Sequence, residues 1–229
     1  TTYTDTAGNA PASTSTTASY TVDTTAATVV AFTLSDSALK IGDTATVTLQ
    51  FSEAVAGFSS DADVTVQNGS LATMTSSDNI TWTGTFTPSS DVEDATNVMS
   101  LATSYTDTAG NAGPSATTDN YAIDTIRPTV AAFTMSDTAL ISGETSTVTL
   151  QFSEAVASFS SSADITVQNG SLATMTSSDN ITWTGTFTPT SDVEDATNVL
   201  TLATTYTDTA GNAPASTSTT DNYTVDTTA

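Results

Sequence analysis

Val47, Leu49 and Phe51 alternate with Thr46, Thr48 and Gln50, and Ile80, Trp82 and Phe86 alternate in the same way with Thr81, Thr83 and Thr85. An apolar residue at every second position turns one face of a strand to a core and the other to water. No segment keeps a helical period of useful length. Turn sequences separate the runs: "IGD" at 41–43, "NGS" at 68–70, "SSDN" at 76–79, "TPSSD" at 87–91 and "TAGNAGPS" at 108–115. The pattern predicts an all-β fold, with about seven strands in every ~100 residues arranged as an immunoglobulin-like β-sandwich. Phe32, Val47, Leu49, Phe51, Val64, Val66, Leu71, Ile80, Trp82, Phe86, Leu101 and Tyr105 are expected to face inward. Trp82 and Trp183 are in phase with these positions, which makes them core residues rather than a platform for stacking sugars.

The same pattern occurs twice. "QNGSLATMTSSDNITWTGTFTP" stands at 67–88 and again at 168–189, and "FSEAVA" at 51–56 and 152–157, an offset of 101 in both cases. A unit of ~100 residues is domain-sized, unlike the 20–50 residues of a solenoid repeat. We therefore expect tandem sandwiches at 27–126 and 127–229. Residues 1–26 match 204–229 except at Ala18 and Ser19, so they are expected to be the last two strands of a preceding copy, with a period of 203 for the whole pattern. Two strands cannot bury a face alone and should pair with something.

Composition narrows the function. The chain has 25 acidic residues against Lys40 and Arg127 alone, a formal charge of −23, with no His and no Cys. Nucleic acid is a poor partner for such a surface. No apolar run is long enough to cross a bilayer as a helix, so no membrane insertion is expected. Without His or Cys the available metal ligands are hard oxygens, and self-repulsion on this scale favours bound cations. Paired acids such as Asp91 and Glu93 could serve glycoside hydrolysis in principle, but they are duplicated in each copy with no aromatic cleft, and no enzyme is expected. Receptor loops normally differ from their scaffold, whereas these repeat almost unchanged, which places a glycan-binding module lower.

"YTDTAGNA" occurs at 3–10, 105–112 and 206–213. Its Asp can brace a tight turn whose Gly takes positive φ, or it can hold a cation, and the residues leave both uses open. If strands run antiparallel in sequence order, each junction brings Asp91, Glu93, Asp94 and Asp124 of one copy towards Glu154, Asp164, Asp208 and Asn212 of the next. The same positions elsewhere are Glu53, Asp63, Asp107 and Asn111 at the junction before, and Asp192, Glu194 and Asp195 at the one after. Crowded carboxylates must protonate or share a cation, and Ca2+ accepts 6–8 oxygens at flexible angles. We take Ca2+ as the expected ion.

With "FSEAVAGF", "ITWTGTFTP", "DVEDATNV", "YTDTAGNAGP" and "DNYAIDTIRPTV" in one order and spacing, each copy resembles the bacterial Ig-like repeats of very large surface adhesins, among them type I secreted adhesins with repeats-in-toxin ends. The resemblance covers essentially the whole chain. It implies an extracellular, cell-surface extender that supports cell adhesion or biofilm formation, stiffened by calcium, with neighbouring repeats as partners. It also implies that Asp23, Asp124 and Asp226 are linker ligands and that Glu53 and Glu154 neighbour the junction. The linkers depart from one another, "DTIRP" at 124–128 against "DTTAA" at 23–27, so the junctions are expected to differ in stiffness or ligand number. The competing expectation is a self-assembling filament or surface layer, in which the 1–26 hairpin adds to an edge strand of another copy.

Overall fold

The structure, a computed structural model, describes residues 3–229; residues 1 and 2 of the expected hairpin lie outside the described residues. In the first copy the strands are β1 (Val29–Leu34), β2 (Ala38–Lys40), β3 (Ala45–Phe51), β4 (Val55–Ala56), β5 (Val64–Thr65), β6 (Gly69–Leu71), β7 (Thr81–Pro88), β8 (Glu93–Asn97), β9 (Ser100–Leu101), β10 (Thr106–Asp107), β11 (Ala116–Thr117) and β12 (Tyr121–Asp124), with one helical turn, α1 (Ser60–Asp63), before β5. The second copy repeats this series from Val130–Met135 to Tyr223–Asp226. Bulges and breaks cut the expected seven or so runs into these shorter pieces.

β1-β3-β7-β6 form one sheet, and β2-β12-β8, β11-β9-β5 and β10-β4 form the shorter ones. The alternation in β3 and β7 sets their register, Leu49 opposite Trp82 and Ala45 opposite Phe86. Between the layers lie Phe32, Val47, Leu49, Phe51, Phe86, Leu101 and Tyr105, all buried as expected. Val64, Val66, Leu71 and Trp82 are half-buried against them. Trp82 packs edge-on to Phe58, ring centroids 4.9 Å apart, which agrees with a core role. Ile80 is half-buried but stands outside the cluster. Leu39, Val55, Met74, Met99, Tyr121 and Ile123 complete the core without having been expected there. Each copy has its own cluster, the second centred on Phe152, Leu150, Phe187 and Tyr223.

Three expectations need correction. The strands do not simply alternate in direction: after β1 the chain crosses to the other layer, and β2 runs parallel to β12, with Leu39 opposite Ile123 and Lys40 opposite Asp124. This pairing sets the 40–43 turn beside the exit linker. The second correction is α1, too short to show a period. The third is the N-terminal segment, because residues 3–26 form no strand. Tyr3, Tyr20 and Val22 are 64, 81 and 74% exposed, whereas their equivalents Tyr206, Tyr223 and Val225 are buried. In the second copy those strands are held by Val156–Ala157, Ala139–Ile141 and Glu194–Asn198. The N-terminal segment has no such neighbours, and a strand without a partner leaves its backbone groups to water.

Candidate metal centre at the junction between copies

The "DTAGN" turn is braced from within. Asp107 Oδ1 accepts the N–H groups of Ala109, Gly110 and Asn111 at 2.8–2.9 Å, and its Oδ2 accepts Asn111 Nδ2 at 2.7 Å. Gly110 has φ +99°, a left-handed conformation that a side chain would strain. These bonds hold the Asp107 carboxyl below the ordinary carboxylate range, with the Asn111 amide the largest contributor. Asp5 builds the same turn with Ala7 and Asn9 although no copy surrounds it. The turn is therefore a property of its own five residues.

In the second copy this turn also joins the two domains. Asp208 accepts Gly211 N–H, Asn212 N–H and Asn212 Nδ2 at 2.7, 2.8 and 2.9 Å. Asn212, 2% exposed, donates through Nδ2 to the Asp124 carbonyl at 2.9 Å and accepts the Ile41 N–H of the first copy on Oδ1 at 2.9 Å. One amide thus ties the linker, the turn and the preceding copy. At the other linker Asn111 reaches the carbonyls of Asp23 and Thr25 at 3.3 and 3.4 Å.

Two matching carboxylate groups result. Asp124, Glu154 and Asp208 place one oxygen each within 4.8 Å of one another, and so do Asp23, Glu53 and Asp107. Each set combines a linker Asp, the Glu after the third strand and the Asp of the braced turn. Glu154 is raised to about 7 by burial and by the charges of Asp208, Asp124 and Glu93. Asp124 is raised by burial, by Asp208 and by Glu93, against an opposing bond from Ile126 N–H. Three carboxylate oxygens within 4.8 Å of one another, with no base among them, fit a hard divalent cation.

The remaining expected residues are placed elsewhere. Asp63 and Asp164 are buried inside their own copies, where Asp63 takes Ser59 N–H at 2.8 Å and the Ser104 hydroxyl, and Asp164 takes Ser160 N–H and the Thr205 hydroxyl. They close the helical turn and do not reach the junction. Asp94 accepts Asn68 Nδ2 and Thr96 N–H, and Asp195 accepts Asn169 Nδ2 and Thr197 N–H. Asp91 and Asp192 are exposed turn residues at φ +57° and +56°, which accounts for Asp there without any ion. Glu93 is exposed beside the Asp124 group, and Glu194 is opposite Asp226 in register. No sequence signal separates Asp94 from Asp124, because both are acids near a turn; their hydrogen-bond partners differ only in the folded chain.

A family model described as the bacterial Ig-like domain matches residues 23–123 and again 124–225. The chain belongs to the bacterial Ig-like domain family. Its two Ig-like domains thus each begin at a linker Asp of the carboxylate groups. Among solved structures, the FdeC adhesin of Escherichia coli is similar at 11% identity and a TM-score of 0.41, covering 87% of this chain and 64% of that one. A three-domain Ig segment of titin is similar at 11% identity and a TM-score of 0.46, covering 88% and 65%. The chain thus spans just under two thirds of either. Comparison with curated protein sequences gave no match. No helix among the described residues is long and apolar enough to cross a membrane.

The Ig-like pair should depend on pH in a way set by these groups. Glu154 has its folded pKa raised, from 4.5 to about 7, so its contribution to stability is present below 4.5 and lost as pH rises to about 7. Asp107, Asp78 and Asp94 are lowered, so theirs is present above 3.8 and lost in acid. In EDTA the second domain should melt at a higher temperature at pH 5 than at pH 8. Paired thermal melts, with Glu154→Gln abolishing most of the difference, check this.

Proposed function

We propose that the chain is a piece of the extender region of a bacterial surface adhesin, a non-catalytic spacer of Ig-like domains that stands outside the cell and is stiffened by Ca2+ held between successive copies. Support comes chiefly from one observation: at both linkers three carboxylates from the linker and the following domain converge within 4.8 Å. Membership in a family of tandem bacterial Ig-like domains agrees with it. Asp124, Glu154 and Asp208 would hold the ion, with Asp23, Glu53 and Asp107 as the equivalent set. The ion would neutralise charges that otherwise repel across the linker, and it joins a linker residue to two loops of one domain. The spacer would in turn hold an adhesive tip away from the cell, in adhesion or biofilm formation.

The test is a thermal melt of the whole chain in EDTA, in millimolar Mg2+ and in millimolar Ca2+. Ca2+ at about a hundred times its Kd adds about 2.7 kcal/mol by mass action. A rise in melting temperature with Ca2+ that Mg2+ does not reproduce, and that Glu154→Gln reduces, is the expected result. Equal melting in all three buffers would overturn the calcium reading.

The exposed Tyr3, Tyr20 and Val22 favour a second reading, assembly by strand exchange between chains. Residues 1–26 are nearly identical to 204–229, however, so one segment enters a sheet only as its equivalent leaves, and total burial is unchanged. Monomeric behaviour in light scattering at high concentration would exclude it.

A further inference from the structure

Lys40 and Arg127 are the only basic residues in the chain, and both stand at the same junction. Lys40 closes the 40–43 turn through Asp43, Nζ to Oδ1 2.9 Å. Its stem lies along the second domain's braced turn, where a methyl group on Gly211 would stand 3.3 Å from Lys40 Cδ and Cε. The neighbouring Ile41 N–H bonds Asn212. From the linker, Arg127 Nη1 donates to the Ala213 carbonyl at 2.6 Å. The turn at 208–213 is thus gripped on one side by the preceding domain and on the other by the linker.

Neither base has a counterpart elsewhere. Lys40 corresponds to Ile141, which is 56% exposed. Arg127 corresponds to Ala26, three residues after Asp23, and to Ala229, three residues after Asp226. Within the chain the base-bearing linker at 124–128 ends the copy with the Lys-type turn and the base-free end at 226–229 ends the copy with the Ile-type turn, and "YTVDTTA" at 20–26 is identical to 223–229. The carboxylate groups at 23/53/107 and 124/154/208 are meanwhile the same.

We infer that the two linkers of this chain that carry a carboxylate group are of two kinds: the one at 124–128 is clasped by Lys40 and Arg127 and stays docked without a divalent cation, while the base-free one at 23–27 depends on the cation for its stiffness. The cation dependence of the second kind rests on the proposed calcium reading; the clasp does not. Motion between domains is the default across a small contact. The Arg127 hydrogen bond and the packed Lys40 stem, from two separate segments, add to the Ile41 N–H bond and restrict that freedom at this junction; a linker without the two bases has only the backbone contact. The two domains of this chain would then move as one stiff pair.

The test uses the full chain, which has no cysteine of its own, carrying Ser70→Cys and Ser171→Cys for spin labels, both at exposed positions. Pulsed dipolar measurements give the distribution of distances between the two domains. With native Lys40 and Arg127 the distribution in EDTA should be narrow. With Lys40→Ile and Arg127→Ala, the residues found at the equivalent positions 141 and 26, the narrow peak should be lost in EDTA, while each domain's melting shows that folding is intact. Recovery of the narrow peak in millimolar Ca2+ is expected for this variant. A broad distribution for the native residues in EDTA, or a narrow one for the variant, overturns the clasp. If the variant stays broad in Ca2+ while the native chain is narrow, the clasp stands and the calcium reading fails.

Discussion

Phe86→Ala should lower the stability of the first domain by about 3–5 kcal/mol and leave the second almost untouched. Phe86 is fully buried in β7, with its ring 5.4 Å from that of Tyr121. Gly69 on β6 has no side chain because the ring occupies that space: a methyl there would sit 2.2 Å from Phe86 Cε2. Neighbours this closely fitted cannot collapse into the vacated volume, so the cavity cost adds to the lost burial. At 4–8 °C per kcal/mol for a domain of ~100 residues, the first transition moves down by roughly 12–40 °C. Differential scanning calorimetry should resolve it from an unshifted second transition, since the two apolar clusters share no residue. Both transitions moving together would mean that the junction couples the cores.

Asn97→Ala is the second large effect, about 3 kcal/mol. The residue is fully buried at the end of β8. Its Nδ2 donates to the carbonyls of Asp94 and Tyr121 at 2.9 and 3.1 Å, and its Oδ1 accepts Asn68 Nδ2 at 2.7 Å. These bonds span the register shift between β12 and β8 at Tyr121. Alanine would leave two carbonyls without that donor, and each buried group left unpaired costs about 1–3 kcal/mol. Urea unfolding of Asn97→Ala, with Asn198→Ala as its equivalent in the second domain, measures it. A loss well under 1 kcal/mol would show that water replaces the side chain. Asn97→Ala should not change any response to Ca2+, because Asn97, Asn68 and Asp94 form a network inside the domain.

Much of this was legible before folding. Strict alternation located β3, β7 and most of the core, because period two has one structural meaning over six or seven residues. The repeat offset showed two copies, and the acids expected at their junction included Asp124, Glu154 and Asp208 together with Asp91, Asp94 and Asp164, which the fold places elsewhere. What stayed hidden was non-local. Nothing in "SALK" shows that its strand leaves one sheet for the other and runs parallel to residues over eighty positions away. Asp63 and Asp124 read alike as acids near turns, yet one closes a helical turn and the other faces a neighbouring domain. The Asn212 bridge depends on Ile41, 171 residues distant, and no local pattern announces it. Residues 3–26 form no strand for a related reason: the edges that hold their equivalents in the second copy lie outside the segment.

The parallel pairing of β2 with β12 joins strands near the two ends of each domain. Tension along the chain pulls them in opposite senses along their own length, so the bonds of the ladder are loaded simultaneously in shear and not peeled apart one by one. The same topology recurs between Ala139–Ile141 and Tyr223–Asp226. A domain built this way resists being drawn out from its termini far better than its modest number of such bonds suggests, and a force that bends the linkers would do so before it opens a sandwich.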